Sequence, residues 1–92
     1  MPKKYPPLTP KEVIAILGAR AFDLDDTVGS HAQYIAIVKG MKRKVTVDLT
    51  EVEYDDYLLK SMISQSGLSR EEFYCSTKRS AVKIGLKVDP SL

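Results

Sequence analysis

The chain has 92 residues, 14 Lys and Arg against 12 Asp and Glu, and a formal net charge of +2, a size that holds one domain around one core. No run approaches the roughly 18 consecutive apolar residues of a membrane span, and MPKKYPPLTP has two lysines without the apolar stretch of a secretory signal. Cys75 is the only cysteine, so no internal disulfide forms, and the thiol reads as half-buried or surface in a reducing cytoplasm.

Residues 1–8 hold three prolines and no periodic apolar face, which predicts an extended lead. In LTPKEVIAILGA, Thr9 caps a helix, Pro10 suits its first position and Glu12 completes a Thr-x-x-Glu capping box. Val13, Ile14, Ile16 and Leu17 form its apolar stripe, and Gly18 stops it, so the helix runs over about 10–18. From residue 21 the period becomes two. Phe22 and Leu24 alternate with Asp23 and Asp25, as in a half-buried strand with one wet face.

Gly29-Ser30 makes a turn, and HAQYIAIV reads as the second strand, with Tyr34 in the core. KGMK is a hairpin connection in which Gly40 supplies positive φ. RKVTVDL is the third strand, with Val45, Val47 and Leu49 on one face. Such short joins imply an antiparallel meander. DDYLLKSMISQSGLS follows as a helix capped by Asp55 or Asp56 and closed by Gly67. Tyr54 and Tyr57 pack at its start. A second capping box, Ser69 to Glu72, opens another helix running to about Lys83, and the tail IGLKVDPSL lies loosely on the surface. The expected fold is α+β, in the order α-β-β-β-α-α, with helices on one face of a three-stranded antiparallel sheet.

Acids collect at Asp23/Asp25/Asp26 and at Asp48/Glu51/Glu53/Asp55/Asp56. Bases collect at Lys39/Lys42/Arg43/Lys44 and at Lys78/Arg79/Lys83/Lys87. Such a dipolar distribution suits RNA or a protein partner. The only histidine, His31, stands directly behind Gly29-Ser30. An imidazole can take or give a proton near neutral pH. Gly29 permits close approach of a phosphate, and the amides of residues 29–31 can bind its oxygens. Ser30 reads as a hydrogen-bond donor rather than a nucleophile. No Cys/His arrangement suggests a metal, and no cofactor is expected.

In order and spacing, T-P-K-E-V-I, G-S-H, the basic hairpin, V-T-V and S-G-L-S-R-E-E-F resemble the HicA-type toxins of toxin–antitoxin pairs. The resemblance covers residues 8–74. It implies a double-stranded-RNA-binding-like domain over 9–74, followed by the end of the last helix and a basic tail over 75–92. It also implies a cytoplasmic, metal-independent mRNA interferase, an endoribonuclease. In that reading His31 is catalytic, while Gly29, Ser30, Lys39, Lys42, Arg43 and Lys44 contact RNA phosphates. A HicB-type antitoxin is the implied protein partner, and a homodimer is a further possibility. Two features depart from the family. Ala32 stands where many members have a second histidine, and the acidic run DLTEVEYDD stands where members carry a proline and a basic or histidine-containing run. RNA would then approach over the hairpin, with Lys44 or water supplying the second proton. The alternative is a non-catalytic RNA-binding or protein-interaction module that keeps the fold.

Overall fold

Local side-chain chemistry places the helix ends. In this computed structural model, which describes residues 5–92, the Glu12 amide donates to Thr9 Oγ1 (3.2 Å) and the Thr9 amide to Glu12 Oε1 (2.9 Å). That reciprocal box opens α1 (Pro10–Ala19). Asp55 accepts from the Leu58 amide at 3.0 Å to start α2 (Asp56–Ser66). Gly67 ends α2 at φ +75, a left-handed conformation that favours glycine. The second predicted box, Ser69 with Glu72, opens α3 (Arg70–Tyr74).

Between α1 and α2 lie β1 (Asp23–Val28), β2 (His31–Val38) and β3 (Met41–Asp48), forming an antiparallel sheet in the order β1-β2-β3. Both hairpins have two-residue loops. At the second, Lys39 (φ +52) and Gly40 (φ +80) are both left-handed, which matches the twist of the flanking strands. Alternation then assigns the faces. Ala32, Val38, Val45 and Val47 are buried on the helix side with Val13, Ile16, Leu17, Leu59, Met62 and Phe73. Tyr34 is partly buried on that side, packed against the core. The protein is thus a small α+β domain whose three-stranded open sheet leaves its other face bare.

Several expectations are corrected. β1 is exposed along its whole length rather than half-buried, because the helices pack on β3 while β1 lies at the far edge beyond β2. Phe22 is buried, but it precedes the strand, and Leu24 is exposed. The helix expected from Arg70 to Lys83 is broken at residues 75–77 into α3 and α4 (Lys78–Lys83). Thr77 caps the Ser80 amide (3.2 Å), and Ser80 Oγ donates to the Tyr74 carbonyl (2.6 Å), so side chains replace the backbone ladder there. The tail is not loose. The Asp89 amide donates to the Cys75 carbonyl at 2.8 Å, and Arg20 joins Asp89 Oδ2 (3.3 Å), Ser76 Oγ (2.8 Å) and the Glu72 carbonyl (2.8 Å). Cys75 is buried rather than half-buried or surface. Of the two tyrosines expected to pack at the start of α2, Tyr54 is buried and Tyr57 is 80% exposed.

Of the extended lead, residues 1–4 lie outside the described residues. Residues 5–8 cross the helices: Leu8 pairs with Tyr54 in an isolated bridge, Tyr5 meets the Tyr74 ring edge-on at 5.1 Å, and the Tyr74 hydroxyl donates to the Pro6 carbonyl. Among the described residues, no helix is long and apolar enough to cross a membrane.

Candidate functional site on the open sheet face

The bare face is fixed by strand register. Across its three strands stand the rows Val28–His31–Asp48, Asp26–Gln33–Thr46 and Asp23–Ile35–Lys44, with Ile37–Lys42 beyond them at the hairpin end. His31 is the first residue of β2, delivered there by the Gly29-Ser30 turn, in which Gly29 takes φ +60. The Leu49 amide donates to the Ser30 carbonyl at 2.8 Å and closes this end of the sheet.

The His31 side chain is 53% exposed, with Nε2 3.9 Å from Asp48 Oδ2. That separation is an ion pair when the imidazole is protonated and too long for a direct hydrogen bond. Three groups hold Asp48 in place. Thr50 donates to its Oδ1 from both the hydroxyl (2.7 Å) and the amide (3.0 Å). The Tyr54 hydroxyl donates to its backbone carbonyl at 2.5 Å. The Thr50 hydroxyl and then its amide hold the Asp48 carboxyl below its ordinary value; burial opposes them, and the His31 charge adds a lesser lowering. Burial, then the charges of Asp48 and Glu51, push Tyr54 up to about 12, so its hydroxyl stays a donor at neutral pH. The result is an exposed imidazole beside a pinned, ionised carboxylate with Oδ2 facing the ring.

The expected phosphate contacts divide. Lys42 and Lys44 share the bare face with His31. Lys44 pairs with Ile35, four residues along β2, or roughly 13 Å away. Lys39 instead pairs with Glu72 Oε1 at 2.9 Å. Arg43 falls on the helix side, where its guanidinium lies over Gly67. Its Nε is buried without a hydrogen-bond partner in the described structure. The basic hairpin is therefore a stripe leading away from His31, not a ring around it.

In the sequence Asp48 reads as part of an acidic segment that repels RNA, and nothing there ties Thr50 or Tyr54 to His31. The pairing of Asp48 with His31 does follow from the hairpin. With a two-residue loop at Lys39-Gly40, stepping outward equally from the Val38–Met41 pair arrives at His31 opposite Asp48. Comparison with family models, curated proteins and solved structures found no match for the chain.

Proposed function

We propose that this protein is a HicA-type, metal-independent endoribonuclease with a double-stranded-RNA-binding-like fold, acting on mRNA through His31. The observation that carries the reading is the exposed imidazole on an open sheet face, 3.9 Å from a carboxylate held by Thr50 and Tyr54. RNA carries its own nucleophile. His31 takes the proton of a 2′-hydroxyl as that oxygen bonds to the adjacent phosphorus. The bond from phosphorus to the 5′-oxygen then breaks, leaving a 2′,3′-cyclic phosphate and a 5′-hydroxyl. The Asp48 carboxylate favours the imidazolium that forms.

Lys44 stands two rows along the face, too far to protonate the leaving oxygen, so water supplies that proton. Lys42 and Lys44 bind phosphates further along a strand laid over β2 and β3. Gly29 and Ser30 present backbone and hydroxyl groups beside the scissile phosphate. A HicB-type antitoxin silences such a site by covering the bare face. Expression of the wild type should arrest growth, and His31→Ala should relieve the arrest at equal protein level. Unimpaired growth with abundant, folded wild type would favour the non-catalytic binding module.

A further inference from the structure

Two exposed surfaces of the chain have opposite charge, and each carries an exposed valine. One is a groove of about 400 Å³ beside α4, lined by Lys78, Val82, Leu86, Lys87 and Val88. Lys78 and Val82 lie one turn apart on α4 and so share a face. Val82 is 65% exposed, giving an aliphatic trough flanked by ammonium groups. The other surface is the Glu51-Val52-Glu53 bend between β3 and α2. There Val52 is 88% exposed between two carboxylates. Among the described residues, neither Glu51 nor Glu53 has a basic group within ion-pair distance, and Lys78 and Lys87 have no acid.

We propose that the Glu51-Val52-Glu53 bend of one copy docks in the α4 groove of a second copy, joining the protein head to tail. Val52 fills the trough, while Glu51 and Glu53 meet Lys78 and Lys87. The aliphatic lining argues for a protein occupant, since Val82, Leu86 and Val88 gain nothing from a phosphate backbone. Every copy carries both halves, so the contact is heterologous: it closes where the geometry allows two reciprocal contacts and otherwise extends. Neither half includes the bare sheet face, so the association is independent of the RNA reading.

Sedimentation velocity on the full chain tests this. At low salt the wild-type mass should rise with concentration to at least twice that of the monomer. It should return to the monomer value in about 1 M salt, where the Debye length is about 3 Å. Glu51→Lys with Glu53→Lys, and separately Lys78→Glu with Lys87→Glu, should each give monomers. All four side chains are exposed, so the reversals spare the core. An equimolar mixture of the two variants should associate again. Val82→Asp provides a second route to a monomer without touching a lysine. A wild type that stays monomeric at its highest concentration in low salt would overturn the proposal. So would association that survives in both charge variants, or failure of the mixture to associate.

Discussion

Tyr54→Phe probes both the core and the candidate site. The ring is buried and the hydroxyl donates to the Asp48 carbonyl at 2.5 Å. Removing that hydroxyl preserves the apolar ring and leaves the acceptor without its donor, which costs about 1–2 kcal/mol at neutral pH. For a domain of this length each kcal/mol moves the melting temperature by about 4–8 °C. The pH dependence adds a second signature. Tyr54 is raised from its ordinary value of 10.0 to about 12. A raised folded value means that the contribution is fully present below pH 10 and is lost as pH climbs toward 12. Two pKa units correspond to roughly 2–3 kcal/mol, and the Phe variant lacks this loss. Urea unfolding followed by far-UV circular dichroism should therefore show the variant less stable at pH 7, with the gap narrowing between pH 10 and 12. Stability curves that stay parallel over that alkaline range would refute the buried-donor argument, as would no loss at pH 7.

Gly67→Ala should destabilise by about 1–2 kcal/mol from its left-handed backbone alone, and by more from contact, since a Cβ there meets Arg43 Nε at 2.5 Å. In an Arg43→Ala background only the contact part should disappear, measured as a double-mutant cycle in urea. At Glu12, burial pushes the carboxyl up, but hydrogen bonds from Lys83 and Thr9 outweigh it and leave the value below 4.5. Stability from this group is therefore present above pH 4.5 and is lost as pH falls through the lowered value. Lys83→Met should be less stable at pH 7 and lose less than the wild type on acidification in thermal melts. On the functional side, Lys42→Ala with Lys44→Ala should flatten the salt dependence of single-stranded RNA binding by about 1.4 in log–log slope, two phosphates at about 0.7 each. An unchanged slope would remove the stripe from the RNA path.

How far the fold could be read depended on how local its causes were. Thr9 with Glu12, Asp55, Ser69 with Glu72, and Gly67 act within a few residues of themselves, so the helix starts and the end of α2 were legible. The Gly29-Ser30 turn was legible for the same reason, whereas the second hairpin was legible only in place: Met41 and Lys42, expected in the KGMK connection, belong to β3, and Leu49, expected on its apolar face, lies beyond the strand and is exposed. β1 was not legible, because Phe22, Leu24 and the aspartates alternate as a half-buried strand would, while its exposure depends on which strands the helices cover. The break at residues 75–77 had a local signal in Thr77, three residues before Ser80, that the stronger helical pattern masked. Arg20 meets acceptors 52 to 69 positions away, contacts that no pattern in the chain shows. At the candidate site the position of His31 at the turn was legible. Its pairing with Asp48 follows from counting along the hairpin, whereas the clamp on Asp48 depends on Tyr54 being buried against Leu8.

Cleavage of RNA by the purified protein in EDTA, with wild type and His31→Ala compared side by side and the product ends identified, tests the central claim most directly. The account predicts that the wild type cuts, leaving 2′,3′-cyclic phosphate and 5′-hydroxyl ends, and that His31→Ala does not. Equal cutting by both proteins, or RNA binding by both with no cutting, would contradict it.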